Sequence, residues 1–508
     1  MSSCTPEEHS NLRQRVGLML GPVLAAIILV LPPMDAGNPL VSRTAAVAVL
    51  MAVWWLTEAL PIPATALLPV PLFPLLGIMD GRSTAATYFN SVIFLFVGGF
   101  LMALAMQRWQ LHRRIALRIL LLIGGGPGRI LLGFMAATAF LSMWISNTAA
   151  AMMMVPIAMA VVSRLREGND SPAMSRFAAG LLIGIAYAAS IGGIATLIGT
   201  PPNLAFSQIF HMTFPAAPEI TFADWMLFGT PCAILLLAAA WGVLRVMFVH
   251  HAGSGKGGTE EFRQEYRELG RMKSEERVIL VLFAAMALLW FFRQDIALGS
   301  MVVPGWSRLL EQPKFADDGT VAVLVASLLF LIPSRSKRGE RLLDWATAHK
   351  LQWGIVLLFG GGFALAAGFK ESGLSAWVAS QLTGLSGVPS LVMVTSVSTL
   401  MTFLTELTSN TATTQIVLPL LGSLAVALQV NPLLLMIPAT LSASCAFMLP
   451  VATPPNAIIF GTGEVKMTDL MRSGIVMNLV GIVLIVALIF IFGLALFGIG
   501  SGCPDWVR

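Results

Sequence analysis

Charge is what this chain of 508 residues has least of. Only 11% of its residues are Asp, Glu, Lys or Arg, against about 25% in a soluble domain. That scarcity excludes a globular protein folded in water. The complement is a hydrophobic content of 56% and a mean hydropathy of +0.82, which predict a polytopic membrane protein. Tyrosine is scarce too, at three residues, and no ten-residue segment alternates apolar with polar, which excludes a β-barrel. The four cysteines, Cys4, Cys232, Cys445 and Cys503, follow no spacing of a disulfide framework or metal knuckle. Histidines lie mostly outside the apolar runs, which leaves a histidine proton relay little support. No nucleophile–base pair and no metal cluster falls at membrane depth, so the expected protein is not an enzyme. The net charge of +5 sits mostly in loops beside the membrane and implies no nucleic acid. The first apolar run carries no cleavage motif and reads as a span, not a signal peptide.

What the sequence does contain, it contains twice. Ser146-Asn147-Thr148 returns as Ser409-Asn410-Thr411, and Leu95-Phe96-Val97-Gly98-Gly99-Phe100 returns as Leu358-Phe359-Gly360-Gly361-Gly362-Phe363; the offset is 263 for both. Thr200-Pro201-Pro202-Asn203 returns as Thr453-Pro454-Pro455-Asn456 at an offset of 253. The ten-residue difference is expected to lie in a connection. An internal repeat in a membrane protein points to a transporter with its site between the two halves.

Spans are expected at residues 16–31, 44–60, 64–78 and 91–106, followed by a basic interfacial helix at 108–118 with Leu111, Ile115 and Ile119 on its apolar face. Residues 130–162 form a run of 33 without a charge. One helix of that length would measure about 50 Å, against a hydrocarbon core of about 30 Å. Two full spans would need roughly 40 residues. Arg129 and Arg164 flank the run and place both ends on one side. The fit is a re-entrant hairpin with Ser146-Asn147-Thr148 at its tip, tolerated where protein or a water-filled cavity surrounds it. Further spans are read at 177–190, broken through Asn203 and resuming as a half-helix at Leu204, and at 225–249, 278–292, up to Pro333, and 351–369. A second hairpin covers 390–430. The last two spans are 433–449, broken at 450–455, and 473–499. Residues 1–15 read as a loose polar segment, and 250–277 as the longest soluble piece.

The expected fold is thus an all-α polytopic membrane protein, with about 11 transmembrane helices plus two re-entrant hairpins in an inverted repeat. Four regions are marked out: 1–90, the first scaffold helices; 91–250, repeat 1; 251–350, a cytoplasmic segment and the second scaffold helices; 351–508, repeat 2. With the N-terminus in the cytoplasm, the outer loops hold Arg43, Arg82, Arg293, Arg308, Lys314, Lys370 and Arg508, leaving 24 of the 31 Lys and Arg inside.

Near the two tips there is almost nothing ionisable. No charged side chain lies between Arg129 and Arg164, and Glu406 alone lies between Glu371 and Glu464. A site made there must use hydroxyls, amides, backbone groups and helix ends. Helix N-termini favour anions; C-termini and unwound carbonyls favour cations. Serine and asparagine oxygens with carbonyls suit a hard ion such as sodium, and co-bound cations can offset an anion where no arginine is present. A single polar triplet in a membrane helix is usually a helix–helix hydrogen bond; two at equivalent repeat positions argue for a site. The paired prolines are expected to break helices and free carbonyls. Glu58 reads as a structural residue with a local partner, Glu406 as either a cation tuner or a structural acceptor, and Met152-Met153-Met154 as apolar packing.

At this point the chain resembles a known family, the divalent anion/sodium symporters. Trp54-Trp55-Leu56-Thr57-Glu58-Ala59-Leu60-Pro61, followed by Thr65-Ala66-Leu67-Leu68-Pro69, is similar to that family's early signature, and both Ser-Asn-Thr tips and both Thr-Pro-Pro-Asn loops are present. The resemblance covers nearly the whole chain. It implies a homodimer in which each protomer has a scaffold and a mobile transport domain, an elevator-type carrier. It implies one sodium at Ser142, Ser146, Asn147 and the backbone near Gly199, and a second at Asn410 with backbone around Thr405 and Ala452. It implies substrate carboxylates at Asn147, Thr148, Thr200, Pro201, Asn410, Thr411, Thr453 and Pro454. The expected function is sodium-coupled import of a C4-dicarboxylate such as succinate, malate or fumarate across the plasma (inner) membrane, with sodium ions and lipid as the other partners. The alternatives are a sodium-independent dicarboxylate exchanger, a sulfate or citrate carrier and, from another class, an anion channel.

Overall fold

Prolines and helix caps set the boundaries of nearly every element. A computed structural model describes residues 12–166, 171–249, 259–298, 301–381, 387–500 and 502–507. Most of the N-terminal polar segment, and residues 250–258 of the long soluble piece, lie outside them. The first helices are α1 (Leu12–Val30) and α2 (Pro39–Thr57). Asn38 caps α2 by accepting from the Leu40 amide at 3.1 Å, and Pro39 opens it. The span read at 64–78 is two short helices, α3 (Ile62–Ala66) and α4 (Pro69–Leu75). Pro69 has no amide hydrogen to bond back to the Thr65 carbonyl, so the division falls there, with proline at N1 of α4. A short α5 (Gly81–Ala86) completes this region.

The first repeat follows: α6 (Ser91–Arg108), α7 (Leu111–Ile123), the hairpin α8 (Pro127–Ser142) and α9 (Asn147–Arg166), then α10 (Pro172–Ile194), α11 (Pro201–Thr213) and α12 (Phe222–Leu244). In α7 the buried face is Leu111, Arg114, Leu117 and Leu120; Ile115 and Ile119 are half-buried. Arg114 displaces them because its guanidinium pairs with Glu276 at 2.5 Å and donates to the Gly270 carbonyl. The connecting helices are α13 (Thr259–Glu268), α14 (Ser274–Phe291), α15 (Asp318–Leu331) and α16 (Trp345–Ala348). A short strand pair at 296–303 is the only sheet among the described residues. The second repeat is α17 (Trp353–Glu371), α18 (Leu374–Gln381), the hairpin α19 (Ser390–Leu407) and α20 (Asn410–Ala427), then α21 (Leu433–Ala443), α22 (Pro454–Gly461) and α23 (Met467–Leu488).

The order of elements matches one to one, so α18 is the counterpart of the interfacial α7. The ten-residue difference does not lie in a connection: α10 has 23 residues and α21 has 11. The glycine motifs are close-packing positions. A Cβ at Gly98 of α6 would stand 2.5 Å from the Ala322 backbone of α15, and one at Gly361 of α17 would stand 2.4 Å from the Ala66 carbonyl oxygen of α3. Among the described residues, ten helical stretches are long and apolar enough to cross a membrane, three of them hairpin arms. Every residue of α10 from 177 to 194 is buried, so the broken helix of the first repeat runs through the core.

Candidate functional site

The two hairpin tips and the two helix breaks converge on one cavity of about 480 Å³. That lies within the roughly 300–1,000 Å³ usual for small-molecule sites. All eight residues expected to meet substrate line it: Asn147, Thr148, Thr200, Pro201, Asn410, Thr411, Thr453 and Pro454. Ser146, Gly199 and Ala452 line it as well, while Ser142 and Thr405 are fully buried behind it.

At the first tip the chain leaves α8 at Ser142 and restarts as α9 at Asn147. The amides that open α9 have no helical acceptor and point at the cavity end of the dipole, an arrangement that favours an anion. Behind them Ser142 Oγ donates to the Ala189 carbonyl at 2.6 Å. The Asn147 amide is satisfied when its nitrogen donates to Ser142 Oγ at 2.6 Å, to Ala189 O at 3.1 Å and to Gly199 O at 3.3 Å. One amide nitrogen thus sits among three oxygens on three segments. A half-turn of that amide replaces the donor with a fourth oxygen, which gives an all-oxygen set of the kind hard cations take.

The second tip repeats this pattern. Thr405 Oγ1 lies 2.6 Å from Asn410 Oδ1 and 2.8 Å from the Ala443 carbonyl oxygen. A single hydroxyl hydrogen cannot serve both acceptors fully, so this cluster too is electron-rich. Glu406, next in sequence, turns away from the cavity. Its carboxylate accepts from the amides of Phe447 at 2.7 Å, Met448 at 2.9 Å and Leu449 at 3.1 Å, and from Asn478 Nδ2 at 2.8 Å. It therefore satisfies the unwound backbone between α21 and α22 as a structural acceptor.

The prolines act differently from expectation. The half-helices begin at Pro201 and Pro454, not at Leu204, because proline at N1 is pre-set for a helix and its missing amide costs nothing there. The carbonyls left free belong to the preceding helix ends. Asn203 Nδ2 takes those of Gly193 at 3.1 Å, Ile194 at 3.3 Å and Thr196 at 2.8 Å. Asn456 Nδ2 takes those of Ala446 at 3.2 Å and Leu449 at 3.0 Å. With two prolines at their starts, α11 and α22 offer few free amides. Anion-binding amides come chiefly from α9 and α20, and the breaks supply hydroxyls and carbonyls.

Sequence reasoning missed the facing wall. Glu58, Ile62 and Pro63 beyond the end of α2, and Gln352, Gly354, Ile355 and Leu358 at the start of α17, close the cavity opposite the tips. The Glu58 side chain has no hydrogen bond or ion pair with any described residue, so the expected local partner is absent. The paired signature at 54–61 was the available signal, but no spacing rule ties it to the tips. Trp144 also lines the cavity, with its ring edge-on to Phe283 at 4.8 Å.

A family model described as the sodium:sulfate symporter transmembrane region matches residues 12–499. The chain is 44% identical over 486 residues to the sodium-dependent dicarboxylate transporter SdcS of Staphylococcus saprophyticus, covering 94% of this chain and 91% of that protein. Against the protein of the same name from Staphylococcus aureus it is 43% identical over 498 residues, covering 97% and 93%. Among solved structures, the YdaH transporter of Alcanivorax borkumensis superposes with a TM-score of 0.59 at 16% identity, covering 88% of this chain and 99% of that one. MtrF of Neisseria gonorrhoeae, described with a class of antimetabolite efflux pumps, gives 0.57 at 15% identity, covering 96% and 100%. At such identities the likeness to these two is one of fold alone.

Proposed function

We propose, because the chain belongs to the sodium:sulfate symporter family, that it carries C4-dicarboxylates such as succinate, malate and fumarate into the cell together with sodium. Membership makes it an integral membrane transporter and not an enzyme. The observation that carries the reading is the cavity's charge. It gathers hydroxyls, amides and two oxygen clusters from both repeats, and among the described residues that line it none is basic. A dianion away from water must be paired. Each helix N-terminus contributes about half a charge, so two tips supply roughly half of what is needed. Bound cations supply the rest.

In this reading one sodium sits among Ser142, Ser146, Asn147 and Gly199, and a second among Thr405, Asn410 and Ala452. The substrate carboxylates lie between the tips. The protein is a homodimer in the plasma membrane with its N-terminus in the cytoplasm. Residues 17–80 and 278–333 form the scaffold, and the hairpins and broken helices move past it as one body. Arg13 of α1 donates to the Leu407 carbonyl at 3.2 Å, a contact between the N-terminal helix and the second hairpin.

Uptake of labelled succinate into proteoliposomes tests the function. Uptake should saturate with sodium with a Hill coefficient above one, and potassium should not replace it. Equal uptake in choline and sodium, driven only by internal dicarboxylate, would make the protein an exchanger instead. Unsaturable flux without counterflow would make it a channel.

A further inference from the structure

The cavity has one feature that dicarboxylate binding does not call for. Among the described residues that line it Glu58 alone is ionisable, and its charge has the same sign as the substrate's. The residue stands at the end of α2 with φ +52°, a left-handed conformation shared among the described residues by only two other non-glycine positions, Gln110 and Gln429. Glycine would occupy that position without strain. Glutamate there carries the cost of a left-handed conformation.

Local structure gives it no task. The cap bonds of this turn, from the Glu58 and Ala59 amides to the Trp54 carbonyl, are made by backbone alone. Glu58 is exposed and lines both the cavity and an adjoining surface pocket that it shares with Gln14 and Arg15. No ion pair joins it to Arg13, which is bonded to the carbonyls of Leu56 and Leu407. A carboxylate on the lining of the cavity that also holds the two hairpin tips raises the local concentration of small cations and lowers that of anions.

We propose that Glu58 sets the order of loading: through space it draws sodium to the two tips and opposes the dianion until those ions are in place. It ligates neither. The inference rests on the sodium-coupled reading above. It adds a residue on the stationary wall that acts on the site only in the conformation facing that wall, where it also favours release of the dianion once sodium has left.

Equilibrium binding of labelled sodium to the purified full chain tests this, with wild type, Glu58→Gln, Glu58→Asp and Glu58→Gly compared in dilute buffer and in about 0.3 M choline chloride, where screening shortens electrostatic reach to well under 10 Å. In dilute buffer Glu58→Gln and Glu58→Gly should raise the half-saturating sodium concentration about fivefold, and Glu58→Asp should stay within twofold of wild type. In choline chloride all four should converge. Glu58→Gly relieves the left-handed strain while removing the charge, so a loss shared by Gln and Gly belongs to the charge and not to the turn. Wild-type binding in Glu58→Gln, or a loss undiminished by salt, overturns the proposal. Absence of sodium binding in wild type sinks the sodium-coupled reading itself.

Discussion

The two helix breaks reach one geometry by different physics. In the first, backbone meets backbone. A Cβ at Gly192 would stand 2.3 Å from the Ala139 carbonyl oxygen, and one at Gly199 would stand 2.5 Å from the Gly193 carbonyl oxygen. At the matched positions of the second repeat stand Cys445 and Ala452, so that break cannot close as tightly. A buried carboxylate holds it instead: Glu406 gathers three successive amides and Asn478, whereas its counterpart in the first repeat is Met143. The shared part is the oxygen cluster, Ser142 with Asn147 in one and Thr405 with Asn410 in the other. What repeats is the chemistry facing the cavity; what differs is the support behind it.

Removing the support of the second break should have the largest effect. Glu406→Ala leaves three buried amides without an acceptor, at a cost of more than about 4 kcal/mol. Little folded protein should survive extraction. Glu406→Gln keeps the shape and part of the acceptor and should be milder. Met143→Ala should cost roughly half as much or less, since only packing is lost. Comparable losses at 406 and 143, read by thermal unfolding in detergent, would erase the contrast.

The tips come next. Asn147→Ala and Asn410→Ala should each lower succinate uptake about 10- to 100-fold, the scale of a lost ligand worth roughly 1.5–3 kcal/mol. Each should also bring the sodium Hill coefficient down to one. Because Asn147 reaches three oxygens, its removal should lower the unfolding temperature more than removal of Asn410. The reverse order would mean that the second cluster is the tighter one.

Exchanging small residues sharpens the contrast further. Gly199→Ala should cost about 1–3 kcal/mol by overpacking and weaken sodium dependence. Ala452→Gly should leave stability within about 1 kcal/mol of wild type. Equal effects would show that backbone approach is not what closes the first break.

The smallest effect is expected where the repeats clasp each other. Arg166 at the end of α9 meets Glu464 beyond α22 through two bonds of 2.7 and 2.6 Å. The Arg166 guanidinium holds the Glu464 carboxyl below the usual carboxylate range. Its stabilising contribution is therefore present above that range and lost as pH falls through the depressed value. Glu464→Gln should cost on the order of 1 kcal/mol at neutral pH, and the difference from wild type should shrink on acidification. A gap that widens in acid would contradict the pairing.

Much of this was legible beforehand, for physical reasons. A run of 33 uncharged residues fits neither one span nor two, and arginines flank both its ends, so the hairpin followed from length and charge together. The repeat offsets placed both tips and both breaks in matching positions. The wall opposite was not legible: Glu58 lies 89 positions from Asn147, and periodicity carries no information about contacts between elements so far apart. The starts of α11 and α22 were misplaced by reading proline as a breaker, when its fixed φ also begins a helix.

By itself the sequence determined the solvent, the repeat and the kind of atoms available to a ligand, because these depend on composition, length and order. Only the tertiary structure decided which oxygens meet, that Glu406 faces backbone and not cargo, and that the cavity's single charge is negative. Those outcomes depend on the direction each side chain takes once helices from distant parts of the chain are packed together, and the packing is set by the whole chain at once.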